Sequence, residues 1–176
     1  IFDVDLRPEG EENFRTWVNF KVEAPLFINY AGVRAASRIA IVYVSLPHTD
    51  RQYHDLIIPA LKDKEGTELL VQNYQADLID FNTIALKVRQ FSPDLIILSG
   101  FQRNLISMVR AFRNLHLISE GNTIATYDLL DAAPLLRAED LEGVRVSAPS
   151  FLLSGGPKVE HWGETFRNKY GKSPSY

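Results

Sequence analysis

Residues 93–104 read PDLIILSGFQRN, and this stretch decides the fold. Its centre, DLIILS, is an uninterrupted apolar run, which is typical of a strand that is buried on both faces of a parallel sheet. A second run of the same kind, RIAIVYVS, occupies residues 38–45. Apolar residues at helical spacing follow each run, so we expect helices to cover both faces of the sheet.

The remaining apolar patterns complete an alternation of strands and helices. The predicted strands lie at 38–45, 67–74, 93–100, 121–128 and 144–150, and the predicted helices at 17–33, 53–66, 80–91, 102–117 and 158–170. This order predicts an α/β fold: a doubly wound, mainly parallel sheet with helices on both faces. In such sheets ligands bind beyond the carboxyl ends of the strands.

Composition excludes several functional classes. The 176 residues include no cysteine, which excludes a disulfide framework, a thiolate metal site and a cysteine nucleophile. The formal net charge of -3 argues against a nucleic-acid partner, because such proteins carry a basic surface. No apolar run reaches the about 18 residues that a membrane span requires, so we expect no direct insertion into a membrane.

Motifs that would indicate an enzyme are missing from the sequence. The GKS at 171–173 lacks the glycine that a phosphate-binding loop has five residues earlier, where Phe166 stands. Neither G-x-G-x-x-G nor G-x-S-x-G occurs, and the four histidines do not show the spacing of a zinc-binding helix. We therefore expect no catalytic residues, no metal and no cofactor.

Short motifs throughout the chain follow the order and spacing of a known family. They are FRT at 14–16, RIAIVYVS, ALKDKEGTELLVQNY, VRQFSPDLIILSG, MVRAFRNL, LEGVRVSAP and the closing FRNKYGKSPSY. The chain resembles the type I periplasmic binding proteins of ABC transporters, in the group that binds leucine, isoleucine and valine. Members have two lobes, and the resemblance implies that this chain is the C-terminal lobe of a longer protein.

The resemblance also implies a division of the chain into three parts. Residues 1–13 would be an irregular lead-in, 14–150 the ligand-binding C-terminal lobe, and 151–176 a returning segment and helix that belong partly to the N-terminal lobe. The chain opens IFDVDLRPEG, without Met and without the apolar core of a signal peptide. We therefore expect a signal sequence and the other lobe to lie outside it.

The resemblance places three residues at a ligand cleft, and two of their neighbours complete the predicted site. Tyr53 matches an aromatic residue after the first strand, Phe101 matches a cleft aromatic after the third, and Asp128 matches an acidic residue that pairs with a ligand's ammonium group. Gln102 and Tyr127 adjoin them as polar contacts. Carboxylates bind cations through charge-assisted hydrogen bonds, and aromatic rings supply apolar walls, so these residue types suit a small polar ligand.

Each of these positions has an alternative role. Tyr53 could be the exposed first residue of a helix, Phe101 could cover the strand end as core, and Asp128 could cap the next helical turn. Gln102 and Tyr127 could be ordinary turn residues. The family usually has Tyr-Gly where this chain has Tyr53-His54, so amides, ureas and larger acids stay open as ligands beside amino acids.

The implied function is that of an extracytoplasmic solute-binding component of an ABC importer, in the periplasm or outside the cell. Two lobes would close on an amino acid or a related small polar molecule, and the closed form would dock on a membrane permease. The alternative is the ligand-binding sensor domain of a signalling receptor or of an amide-responsive regulator. A stand-alone flavodoxin-like enzyme is a third possibility, but the sequence lacks its cofactor loop.

Overall fold

The computed structural model describes residues 20–148 and 156–172. Parallel strands form the centre of the fold, five in number and arranged in the order β2-β1-β3-β4-β5. They are β1 Arg38–Val44, β2 Glu68–Tyr74, β3 Leu95–Ser99, β4 Thr123–Ala125 and β5 Val144–Val146. Strands β1 and β3 lie at the centre of the sheet and are buried along almost their whole length, which explains why they are apolar on both faces.

Helices lie on both faces of this sheet. The helical elements of the described residues are α1 Phe20–Val33, α2 Pro47–Arg51, a π-helical turn Gln52–Ile57, α3 Ile58–Lys62, α4 Asn82–Phe91, α5 Gln102–Asn114, α6 Leu129–Ala132, a 3-10 turn Ala133–Leu135, α7 Ala138–Leu141 and α8 Pro157–Tyr170. Side chains of a strand alternate between its faces, and two apolar clusters result. Val42 and Leu98 join the cluster beneath α4 and α5, whereas Ile41 and Ile97 join the cluster beneath α1 and the π-helical turn. The predicted α/β fold is confirmed.

The helical segment after β1 begins earlier than predicted. The expected loop at 46–52 is helical from Pro47, because proline suits the first turn of a helix. The hydroxyl of Thr49 donates to the carbonyl of Val44 and accepts from the N–H of Leu46 (3.0 Å), which fixes the start of α2 against the end of β1. The prediction that a helix begins at Tyr53 is therefore wrong.

The ends of the sheet also differ from the predicted boundaries. The structure forms β4 only at Thr123–Ala125 and β5 at Val144–Val146, so residues 126–128 and 147–148, predicted as strand, lie in loops. Residues 149–150 of the second predicted strand lie outside the described residues. The predicted lead-in at 1–13, the start of the first helix at 17 and the first residues of the predicted returning segment, 151–155, lie outside the described residues. Within the described ranges, no helix combines the length and the apolar character that crossing a membrane requires.

Candidate functional site

The carboxyl ends of all the strands meet at one edge of the sheet, because every strand pair is parallel. This edge is where open α/β sheets bind ligands. The residues that leave the strands there include four of the five predicted site residues. They are Phe101 and Gln102 after β3, and Tyr127 and Asp128 after β4.

The turn after β3 is closed by a tyrosine from a neighbouring strand. The hydroxyl of Tyr74, at the end of β2, donates to the carbonyl of Ser99 over 2.8 Å. A Cβ atom at Gly100 would lie 2.0 Å from that hydroxyl oxygen and 3.3 Å from the Cβ of Asn104. Position 100 therefore accepts only glycine while the Tyr74 hydroxyl stays in place.

Phe101 and Gln102 follow this glycine at the start of α5. Phe101 precedes the first residue of the helix and is 40% exposed, so the alternative that it covers the strand end as core is wrong. The side-chain amide of Gln102 donates to the carbonyl of Asp131 over 2.9 Å. This bond joins the start of α5 to α6, the helix that follows Asp128.

The turn after β4 carries polar groups that are buried or half-buried. The hydroxyl of Thr126 is buried and has no hydrogen-bond partner among the described residues. Burial raises the pKa of Asp128 from its ordinary value near 3.8 to about 7, and the charge of the nearby Glu23 adds to this rise. Asp128 precedes α6, but its side chain makes no capping hydrogen bond, so the capping alternative is wrong.

Tyr53 lies in the core rather than on the accessible edge. Its side chain is completely buried and stacks on Tyr43, with ring centroids 4.4 Å apart and planes 20° apart. The alternative that Tyr53 is exposed at the start of a helix is wrong. Its hydroxyl lies near Ser99 and Asp128, lacks a hydrogen-bond partner among the described residues, and has a pKa raised by burial. Of the Tyr53 side chain, only the hydroxyl therefore lies near the polar residues that end β3 and follow β4.

A buried carboxylate that the sequence analysis did not single out lies beneath this edge. Glu23, in the first turn of α1, is only 5% exposed. One of its oxygens accepts from the amide of Gln52 over 3.0 Å, and the other accepts from the hydroxyl of Ser147 over 2.6 Å. The backbone N–H of Tyr127 donates to the same carboxylate. Burial raises the pKa of Glu23, whereas these donors favour its charged form.

The sequence does contain a signal for Glu23. It stands four residues before Phe27, so both side chains lie on the same face of α1, and both are buried. An acidic residue on the apolar face of a predicted helix indicates a buried polar contact. Its partners Gln52 and Ser147 could not be found in this way, since Ser147 is 124 positions away along the chain.

The described ranges hold no group of three or more His, Asp or Glu side chains arranged to bind a metal ion. The edge of the sheet instead presents one half-buried acid, one exposed aromatic ring and two buried hydroxyls without partners. Such a set can hold a small polar molecule by charge-assisted and neutral hydrogen bonds with an apolar wall on one side.

A parallel α/β sheet with polar side chains at its carboxyl edge is typical of ligand-binding domains. The sequence matches the periplasmic binding protein family over residues 7–176. The chain therefore belongs to the periplasmic binding proteins, a family of solute-binding proteins. None of the curated proteins compared with the chain matches it.

Solved structures of low sequence identity share the fold. An extracellular ligand-binding receptor from Verminephrobacter eiseniae superposes with a TM-score of 0.74 at 15% identity, over 93% of this chain and 47% of its own. A leucine binding protein from Thermotoga maritima gives 0.67 at 17% identity, over 90% and 45%. A fatty acid ABC transporter substrate-binding protein from Thermomonospora curvata gives 0.67 at 15% identity, over 91% and 42%. The chain thus spans about half the length of the structures it matches.

Proposed function

We propose that this chain is one lobe of the extracytoplasmic solute-binding component of an ABC importer, and that it binds an amino acid or a related small polar molecule. The observation that carries the proposal is the half-buried Asp128 at the carboxyl edge of the sheet. Within the described ranges, no lysine or arginine forms an ion pair with this carboxyl. A bound cation would supply the missing charge.

The other edge residues fit the same ligand. The exposed ring of Phe101 offers an apolar wall and a face for a cation. Thr126 and Tyr53 each carry a buried hydroxyl that finds no partner among the described residues, and such groups are costly unless a ligand or water satisfies them. Gln102 and Tyr127 complete the proposed contacts. Gln102 borders the region because its amide is bonded to the Asp131 carbonyl, and Tyr127 borders it as the residue before Asp128.

The similar structures do not assign the ligand, because they belong to proteins with different ligands. One binds leucine and another belongs to a fatty acid transporter, at 17% and 15% identity to this chain. A fatty acid would bring a second carboxylate to a site that already contains Asp128, and like charges at close range repel. The site therefore favours a ligand with an ammonium group over one with only a carboxylate.

The pH dependence of binding separates these ligand classes. An ammonium group binds the ionised form of Asp128, so affinity for an amino acid should fall as the pH drops through about 7. A carbonyl or carboxylate ligand instead accepts a hydrogen bond from the protonated acid. Its affinity should rise over the same range.

We further propose that binding drives closure of this lobe against a second lobe outside the chain. Ligand contacts made only in the closed state shift the population toward that state. The closed form would then dock on a membrane permease, outside the cytoplasm. A sensor domain would close in the same way but act on a signalling partner, and ligand-stimulated uptake through a permease distinguishes the two.

A thermal-shift and calorimetric screen of the intact protein tests the proposal. Amino acids, amides, ureas and fatty acids are compared at pH 6 and pH 8. We expect amino acids to raise the melting temperature, most strongly at pH 8, and Asp128→Ala to abolish this effect. Asp77→Ala is the matched control, because that aspartate is exposed in the loop after β2. Stabilisation by no ligand, or unchanged binding by Asp128→Ala, would contradict the proposal.

A further inference from the structure

Glu23 connects four separate segments beneath the proposed site. It lies on α1, and it accepts hydrogen bonds from Gln52 in the π-helical turn, from Ser147 after β5 and from the backbone of Tyr127 after β4. These segments are distant in sequence, with separations of 29 positions to Gln52 and 124 to Ser147. A single carboxylate therefore links the loop after β4 to α1, to the π-helical turn and to the loop after β5.

Packing alone does not explain an acid at this position. Glu23 is buried beside Ala24 and four residues from Phe27, where an apolar side chain would fill the space without the cost of burying a charge. Its partners among the described residues are an amide, a hydroxyl and a backbone N–H, and a carboxylate that accepts from all three is favoured in its ionised form. The position therefore favours a group that can both accept from several donors and carry a negative charge.

This charge acts on Asp128, the next residue after Tyr127. The groups that face Asp128 are Glu23 of α1, Asp131 of α6, and the hydroxyls of Thr126, Tyr53 and Tyr74. Glu23 contributes more of the charge repulsion at Asp128 than Asp131 does. The bond to the Tyr127 N–H and the charge felt at Asp128 thus originate in the same side chain.

We propose that Glu23 is a positioning residue of the binding site, which holds Tyr127 and Asp128 in place and supplies a fixed negative charge beside them. It has no exposed surface to offer a ligand and acts through Asp128. The consequence for ligand binding rests on the proposed function, whereas the effect on the loop itself exists without any ligand.

Two variants separate the two parts of this role. Glu23→Gln keeps the shape, since the amide oxygen can accept from Gln52 and the amide nitrogen can donate to the Ser147 hydroxyl, but it removes the charge. Glu23→Ala removes both the bonds and the charge. Glu65→Gln, at an exposed glutamate, is the matched control.

The first measurement uses the ligand-free intact protein. NMR follows the carboxyl titration of Asp128 and the hydrogen exchange of the amide of Tyr127. In Glu23→Gln we expect the pKa of Asp128 to fall below its wild-type value of about 7 while exchange at Tyr127 stays protected. In Glu23→Ala we expect the pKa to fall and exchange at Tyr127 to accelerate by about tenfold or more.

The second measurement adds an amino acid that the wild-type protein binds. Glu23→Gln should shift the pH midpoint of binding to lower pH, and Glu23→Ala should weaken binding by about tenfold or more at every pH. A purely structural role would leave the pH midpoint of Glu23→Gln unchanged.

The outcomes separate this inference from the proposed function. If the wild-type protein binds no candidate ligand, the proposed function fails, and the ligand-free titration still decides the role of Glu23. If the Asp128 titration in Glu23→Gln is the same as in the wild type and the control, the positioning role is overturned. Should Glu23→Ala not fold, Glu23→Gln alone gives this decision, because it retains the shape of the side chain.

Discussion

The turns after β3 and after β4 occupy equivalent places at the carboxyl edge of the sheet, yet they are built differently. After β3, the hydroxyl of Tyr74 donates to the carbonyl of Ser99 and fills the space that a side chain at position 100 would require. After β4, the hydroxyl of Thr126 has no described partner, and the pKa of Asp128 is raised to about 7 by burial. The first turn is satisfied by Tyr74, whereas the second contains a buried hydroxyl that the described residues leave without a partner and an acid whose charge burial disfavours.

Because of this difference, one turn at this edge of the sheet contributes to stability and the other to the proposed function. A folded protein pairs its buried polar groups wherever stability is the sole requirement. Unpaired groups and carboxyls with raised pKa values collect at functional sites, where a ligand completes them. The turn after β4 therefore carries the proposed recognition, and the turn after β3 fixes the geometry of α5 and presents Phe101.

Gly100→Ala should produce the largest loss of stability. The new Cβ would meet the Tyr74 hydroxyl at 2.0 Å, so the side chain or the turn must shift. We expect a loss of roughly 2–4 kcal/mol in the free energy of unfolding, measured by urea denaturation. Adding Tyr74→Phe should recover much of this loss, since the next contacts are 3.3 Å and longer.

Gly32→Ala is the control for that substitution, because nothing lies within 4 Å of a Cβ there. In helix α1 it should be neutral or stabilising by up to about 1 kcal/mol. Equal effects of the two alanine substitutions would show that the turn after β3 is not closed by Tyr74.

Asp128→Asn should increase stability at high pH. A raised pKa means that the folded state binds the proton more tightly than the unfolded state, so stability declines as the pH rises from about 4 to about 7. The substitution should therefore stabilise the ligand-free protein at pH 8 by roughly 1–3 kcal/mol, after allowance for solvent screening, and have little effect at pH 4.

Thermal unfolding across this pH range measures the Asp128 effect, with Asp77→Asn at an exposed loop position as the control. If the difference in melting temperature between Asp128→Asn and the wild type stays constant with pH, the polar groups after β4 are as well paired as those after β3.

The two buried tyrosines give the smallest and most closely matched test. Tyr74→Phe removes the hydrogen bond to Ser99 and should cost about 1 kcal/mol. Tyr53→Phe removes a buried hydroxyl without a described partner and should be neutral or stabilising by up to about 1 kcal/mol. If urea denaturation shows changes of opposite sign in the free energy of unfolding, the contrast between the two hydroxyls is supported. Equal losses of stability would contradict it.

Much of the fold could be predicted from local patterns. The runs at 38–45 and 93–100 are apolar on both faces, and they form β1 and β3 at the centre of the sheet. The helices before and after β3 also lie within a few residues of their predicted bounds, at Asn82–Phe91 and Gln102–Asn114. The start of α2 was missed because Pro47 reads equally as a loop residue and as the first residue of a helix.

The sequence by itself determined the order of the strands along the chain and the placement of Phe101 and Asp128 at strand ends. The spacing of apolar residues and the position of turn residues reveal these features, because both are local properties. Only the tertiary structure decided which groups are paired. It buried Tyr53, gave Tyr74 a partner that Tyr53 lacks, and brought Ser147 to Glu23 across 124 positions of sequence. Burial and hydrogen bonding depend on contacts between segments that are distant along the chain, and they set the charge and the unsatisfied groups of the site.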